Sequence, residues 1–81
     1  MGQATIENPM ALLRGEELAR GIKVRADAAM FSADDLVYLA RCAEQSSYQA
    51  RVTIINSVAL SKQDRARIVA ASTYNKRVIF C

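Results

Sequence analysis

The chain of 81 residues has no histidine and no tryptophan, and only two cysteines and three glycines. Without histidine, it lacks the side chain that most often acts as general base or metal ligand. Cys42 and Cys81 lie far apart and outside any Cys-x-x-Cys spacing, so they predict neither a zinc site nor a disulfide framework. The glycines are isolated and form no phosphate-binding loop. We therefore expect no enzyme, no metal and no cofactor.

Long apolar runs are also missing. No segment approaches the roughly 18 consecutive apolar residues that a membrane span needs. Residues 1–13 lack the basic start and the apolar run of a secretory signal. These absences predict a cytoplasmic protein with no membrane partner. Hydrophobic residues nevertheless form 52% of the chain, which predicts a single domain over 1–81, with 1–8 as a flexible lead.

A short pattern recurs three times: a basic residue, a valine, any residue and an apolar residue. It stands at 23–26, 51–54 and 77–80, with spacings of 28 and 26 residues. Regular recurrence at such a period is typical of stacked structural units. Each copy lies in a segment that favours a strand. Strands are predicted over 22–28, 50–58 and 77–81.

Each predicted strand follows a segment with helix start signals. Asn8-Pro9 combines a good N-cap with a proline at the first helical position. Ser32 and Ser61 each precede an aspartate by three residues, as in a capping box. Helices are predicted over 9–20, from Ser32 to about 45, and from Ser61 to near 71. In the first helix, the apolar stripe is predicted to comprise Leu12, Leu13 and Leu18, and Gly15 is expected to weaken the helix.

The alternation of helices and strands predicts an α/β fold. Because parallel strands joined by helices cross over right-handedly, the three parallel strands would form one sheet with all three helices on one face, in a β-α spiral. Val52-Thr53-Ile54-Ile55-Asn56 resembles the strand part of a long leucine-rich repeat, and the period near 28 is similar to that of the family. The resemblance covers residues 22–81 and implies a binding or assembly scaffold without catalytic residues.

The predicted sheet leaves one face and one edge uncovered. Side-chain alternation places Ile55, Ile79 and Cys81 in an apolar strip on the face opposite the helices. Strand 77–81 would be an unprotected edge, which tends to pair with another chain. The leading hypothesis is therefore a homo-oligomer, either two-fold or head to tail. Its expected interface comprises Thr53, Ile55, Arg77, Val78, Ile79, Phe80 and Cys81.

The charge distribution supplies the alternative function. Residues 1–45 carry five basic and seven acidic side chains, whereas residues 46–81 carry six basic side chains and one acid. The basic half predicts an anionic partner, the acidic half of a second copy, or a solvated surface. The candidate anion-binding residues are Lys62, Arg65, Arg67, Lys76 and Arg77.

Nucleic-acid binding is the alternative because Tyr48 and Tyr74, in the turns before the second and third strands, could stack on bases. No nucleic-acid-binding signature accompanies them. A helix-turn-helix over 36–71 is disfavoured by the β-branched run 52–55. A further hypothesis is an adaptor that completes the sheet of a larger partner protein. An enzyme has the least support.

Overall fold

The computed structural model describes residues 6–46 and 49–81. The strands are parallel, in the order β1-β2-β3, and the helices pack beside one another in the order α1, α2, α3. The predicted α/β alternation in one parallel sheet is confirmed. The elements are α1 (Pro9–Ala19), β1 (Lys23–Asp27), α2 (Ala33–Gln45), β2 (Arg51–Ile55), one turn of 3-10 helix (Ser57–Ala59), α3 (Lys62–Ala70) and β3 (Val78–Phe80).

Helix α1 begins as its sequence predicts. The Asn8 side chain accepts a hydrogen bond from the Met10 backbone N–H at 3.0 Å, and Pro9 is the first helical residue. Gly21, at φ 83°, takes the left-handed conformation that ends many helices. The predicted flexible lead lies partly outside the described residues. Its last residue, Asn8, also donates to Asp35 at 3.2 Å and so ties the start of α1 to α2.

The buried face of α1 differs from the prediction. Ala11, Gly15 and Leu18 are buried, whereas Leu12 and Leu13 are 42% and 46% exposed. Ala11 and Gly15 are small, so α2 can pack closely against this side of α1. The helix therefore turns this side to α2 and leaves Leu12 and Leu13 exposed to solvent. The predicted stripe is therefore wrong for Leu12 and Leu13 and right for Leu18.

The two serine caps form as expected, but they are not equivalent. At α2, Ser32 Oγ accepts from the Asp35 N–H and Asp35 Oδ2 accepts from the Ser32 N–H, both at 3.1 Å, which completes a capping box. At α3, Ser61 Oγ accepts from the Asp64 N–H at 3.1 Å. The carboxylate of Asp64 lies instead 3.5 Å from Arg67.

All three strands are shorter than predicted, and β2, predicted over 50–58, is shortened most. Asn56, at φ 57°, takes a left-handed conformation and ends β2 at Ile55. Its side chain donates to Asp27 Oδ1 at 2.9 Å and so joins the ends of β1 and β2. β3 has only three residues.

The core lies between the sheet and the helices. The helix-facing side chains of β1 and β2 are buried, whereas Val78 and Phe80 of β3 are only partly buried. The hydrophobic layer therefore remains partly open at β3. None of the helices in the described ranges is long and apolar enough to cross a membrane. The fully buried core side chains include Leu18, Leu36, Leu39, Val52, Ile54 and Ile68.

Candidate functional site

The edge of the sheet at β3 has unpaired backbone groups. Within residues 6–46 and 49–81, β3 pairs with β2 and with no other strand. The Arg77 carbonyl accepts from the Val52 N–H of β2 at 3.0 Å. In a parallel ladder these groups alternate sides along a strand, so the N–H and C=O of Val78 and Phe80 point away from β2. Four backbone groups therefore face the free edge, which we call the β3 edge.

Both apolar and polar side chains lie beside the β3 edge. A cavity of about 270 Å³ opens between α3 and β3 and is lined by Val69, Ser72, Thr73, Lys76 and Val78. Val69 is 48% exposed although it belongs to the helix layer. No element in the described part of the chain covers the hydrophobic layer at this end.

The open sheet face carries the rest of the predicted apolar strip. Ile79 is 39% exposed there and Cys81 is exposed, whereas Ile55 and the central Thr53 are half-buried. The exposed apolar surface of the strip therefore lies next to the β3 edge. The two surfaces are continuous at Ile79.

Arg77 is held by contacts within the chain. Its Nη1 donates to the carbonyls of Ser46 at 2.6 Å and Ala43 at 3.2 Å, at the C-terminus of α2. Its backbone N–H donates to Ser72 Oγ at 2.9 Å. A cation at a helix C-terminus satisfies carbonyls that lack helical partners. The predicted interface and anion-binding sets both include Arg77, yet its guanidinium already stabilises the fold.

Arg67 is also bound within the chain. Its Nη2 lies 2.6 Å from Asp34 Oδ1, and this hydrogen bond is the main cause that raises the pKa of Arg67. Of the five candidate anion-binding residues, the other three have side chains without a hydrogen bond or ion pair in the described part of the chain. These three are Lys62, Arg65 and Lys76.

Several acidic side chains of residues 1–45 are also bound within the chain. Glu44 of α2 accepts from Ser72 Oγ at 2.8 Å and from the Asn75 N–H at 2.9 Å, so it fixes the turn before β3. Asp34 binds Arg67 and Asp35 caps α2. Part of the charge asymmetry in the sequence is therefore neutralised between the two halves of one chain.

The sequence-based candidates do not include three cations on the open face. The register places Lys23 directly opposite Arg51, with Arg25 two residues farther along β1. All three are exposed, and their neighbours Val24 and Val52 point to the helices and are buried. The recurring pattern could have identified Lys23 and Arg51 as a pair. Each is the basic first residue of a copy of the pattern, and parallel pairing in register places these first residues side by side. We call Lys23, Arg25 and Arg51 the basic cluster.

Of Tyr48 and Tyr74, the two tyrosines that the sequence singled out, the structure describes Tyr74. Tyr74 is 90% exposed in the turn before β3. Tyr48 lies outside the described residues, so its predicted stacking role stays a prediction.

A cleft of about 330 Å³ lies at the opposite edge of the sheet, between β1 and the start of α1. Its apolar lining includes Met10, Met30 and Phe31, and its polar lining includes Arg25 and Asp27. The Asp27 carboxylate accepts from Asn56 and from the Ala29 N–H, and these bonds, the Asn56 bond first, lower its pKa. The cleft therefore combines an exposed apolar wall with one unpaired guanidinium.

Within the described residues, neither an activated Cys42 thiol nor a metal-binding cluster is present. Burial raises the pKa of the Cys42 thiol, and it also raises the pKa of the neighbouring Tyr38. A protonated thiol is a poor nucleophile. No group of three or more histidine, cysteine or carboxylate side chains suitable for a metal ion occurs within the described residues.

The chain matches none of the protein-family models, curated proteins or solved structures with which it was compared. The resemblance to leucine-rich repeats accordingly stays a prediction. Inferences about function therefore depend on the surfaces described above.

Proposed function

We propose that this protein is a non-enzymatic interaction module that self-associates as a two-fold dimer through the β3 edge. The observation that carries the proposal is the unpaired backbone of Val78 and Phe80 beside a partly open hydrophobic layer. An unpaired edge strand is a template for another strand. A scaffold role also agrees with the resemblance to leucine-rich repeats.

Antiparallel pairing of two β3 strands would satisfy this edge symmetrically. With the two-fold axis at Ile79, Val78 of one copy lies opposite Phe80 of the second. These two residues exchange both of their backbone hydrogen bonds, and the symmetric pair does the same. Four hydrogen bonds would thus join the copies in one six-stranded sheet.

Side-chain contacts would add to the backbone pairing. Ile79 would face its own copy in the close, non-hydrogen-bonded position, on the open face where it is 39% exposed. Such cross-strand pairs contribute about 0.2–1 kcal/mol each. On the helix side of the sheet, Val69 and the cavity that it lines with Val78 would lie near the same residues of the second copy.

The structure favours this two-fold arrangement over head-to-tail association. A head-to-tail contact would pair the β3 edge with the free edge of β1. There the outward backbone belongs to Lys23, Arg25 and Asp27, because Ala28 donates to β2. Charged side chains along an edge disfavour pairing. Much of the acidic charge that would attract the basic end of a second copy is already bound within the chain.

A contact of this size supports only modest affinity. Each copy would contribute the three residues of β3 and one side of α3. This contact buries less than the ~1,200 Å² typical of stable interfaces. We therefore expect dissociation in the micromolar range. Repulsion between the cations beside the edge, such as Lys76, makes association stronger at higher ionic strength. We also place the protein in the cytoplasm, since both cysteines are free thiols.

Sedimentation velocity across micromolar concentrations tests the proposal. The wild type should shift from monomer to dimer, and Ile79→Lys should stay monomeric because like charges would face each other across the axis. Val58→Lys is the matched control, since Val58 is 90% exposed, apolar and part of the 3-10 turn rather than of β3. It should dimerise like the wild type.

Circular dichroism separates loss of association from loss of folding, because both lysine variants should keep wild-type helix content. A folded wild type that stays monomeric at every soluble concentration contradicts the proposal. So does equal dimerisation of Ile79→Lys and Val58→Lys. A chain that is soluble only together with another protein would favour the adaptor hypothesis instead.

A further inference from the structure

The basic cluster on the open face is electrostatically unfavourable in the chain alone. Lys23 and Arg51 are cross-strand partners in the register of β1 and β2. Directly opposed like charges destabilise a sheet. Arg25 adds a third positive charge on the same face. Its Cα is about 6.6 Å from that of Lys23, as expected for two residues along a strand.

No acid within the described ranges forms an ion pair with these three side chains. None of them has a hydrogen bond or an ion pair there. The carboxylate nearest along β1, Asp27, is held by Asn56 and the Ala29 N–H. Asp27 therefore offsets part of the positive charge without an ion pair, and the cluster keeps a net positive charge that an anionic ligand would neutralise.

We propose that Lys23, Arg25 and Arg51 bind the phosphodiester backbone of double-stranded nucleic acid. Cationic side chains that contact phosphates give binding that is independent of sequence. The Thr53 hydroxyl, beside Arg25 in the register, is a further donor to phosphate oxygens. The open sheet face thus presents three cations and a hydroxyl to the regularly spaced phosphates of the nucleic acid.

The other side chains on this face favour a duplex over a single strand. Its described strand residues include no aromatic ring, and single-strand binding commonly uses aromatic rings as stacking platforms. A duplex exposes its phosphates outward while its bases stay paired. A cation-bearing surface can contact that backbone without unstacking any base.

This site differs from the one that the sequence suggested. Arg67 and Arg77 of that earlier set are bound to Asp34 and to the end of α2. The remaining three cations of the set lie on α3 and in the turn after it, not on the open face. The proposal is independent of dimerisation, because the basic cluster lies on β1 and β2 and not at the β3 edge.

Fluorescence anisotropy with a labelled DNA duplex at varied salt tests the site. Three phosphate contacts predict a slope of about −2.7 for log K against log salt, and a ~40-fold loss of affinity between ~50 and 200 mM. The Arg25→Gln variant should lower the loss to ~12-fold, since one contact fewer leaves a slope of about −1.8. Lys23→Gln/Arg25→Gln/Arg51→Gln should remove most of the binding and most of the salt dependence.

The matched control is Lys62→Gln/Arg65→Gln/Lys76→Gln, which has the same net charge and keeps the basic cluster. It should bind the duplex within about twofold of the wild type, in contrast to the cluster variant. Both triple variants remove side chains that form no hydrogen bond or ion pair in the described chain, so both should melt no lower than the wild type.

Four results would overturn the proposal. The first is an equal loss of duplex affinity in the two triple variants, and the second is tighter binding of the protein to single-stranded DNA than to the duplex. The third is equal affinity for vesicles of anionic lipid and for the duplex. The fourth is no binding to the duplex at low salt. The first result would attribute the interaction to net charge alone. If the Lys23→Gln/Arg25→Gln/Arg51→Gln variant failed to fold, the single Arg25→Gln variant would decide the question. A slope of log K against log salt equal to that of the wild type would then overturn the proposal.

Discussion

The ring of Tyr38 lies against the backbone of Gly15, and a Cβ atom at this glycine would stand 2.7 Å from Cε2 of the tyrosine. That distance is well inside van der Waals contact. The half-buried ring must move aside in Gly15→Ala, so we expect this variant to lose up to about 1 kcal/mol instead of gaining the roughly 1 kcal/mol that alanine adds in helix propensity. Urea denaturation followed by circular dichroism measures the difference in the free energy of unfolding.

The same substitution in a Tyr38→Leu background tests the cause. Without the ring, only the gain in helix propensity remains, so Gly15→Ala should become neutral or stabilising. An equal loss of stability in both backgrounds would show that the ring is not responsible.

Arg77 should contribute to stability through the end of α2. Arg77→Gln removes the hydrogen bonds to the Ala43 and Ser46 carbonyls. Hydrogen bonds that involve a charged group contribute about 1.5–3 kcal/mol, so we expect a loss of about 2 kcal/mol in the free energy of unfolding. Arg65→Gln is the control and should stay within about 0.5 kcal/mol of the wild type. Similar effects of the two variants would contradict the capping role.

Asp27 should make stability depend on acid pH. Hydrogen bonds from Asn56 and the Ala29 N–H hold the pKa of Asp27 below its usual 3.8. A lowered pKa means that the folded state favours the ionised form. This contribution is complete above the unfolded-state pKa and is lost as the pH falls through the folded-state pKa.

Asn56→Gly tests this dependence, because glycine keeps the left-handed backbone and loses the donor to Asp27. The Asp27 pKa, followed by carboxyl-carbon NMR, should rise toward its usual value. Asp27→Asn should flatten the fall in stability at acid pH. An unchanged pKa in Asn56→Gly would assign the shift to the Ala29 N–H alone.

The two thiols should differ in reactivity. Burial raises the pKa of Cys42, whose side chain is half-buried, whereas Cys81 is exposed. Because the thiolate is the reactive form, an alkylating reagent should modify Cys81 first at mildly alkaline pH. Mass spectrometry of Cys42→Ser and Cys81→Ser resolves the two rates. Faster modification of Cys42 would contradict its burial.

The features that the sequence predicted correctly depend on neighbours within a few residues. The caps at Asn8, Ser32 and Ser61 form hydrogen bonds to backbone two or three positions away. The strand order follows the order of the strands in the chain, because consecutive strands are usually neighbours in a sheet. The face of α1 was predicted wrongly, because burial there depends on the approach of Tyr38 from another helix.

The candidate sites depended on contacts that no local pattern contains. Arg67 and Asp34 are 33 residues apart in the chain, and Arg77 is 31 residues from Ser46. Their pairing leaves Lys62, Arg65 and Lys76 as the unpaired members of the predicted set. The basic cluster was present in the recurring pattern, but only the register of β1 and β2 brings Lys23 opposite Arg51.

The sequence by itself determined the helices, the strands and their alternation, since caps, turns and apolar periodicity act over short chain distances. Tertiary structure decided which charges stay available to a partner. Ion pairs and helix caps between distant segments bind Arg67 and Arg77 within the chain. Strand register exposes Lys23, Arg25 and Arg51 together, and the sheet order leaves the backbone of β3 unpaired within the described residues.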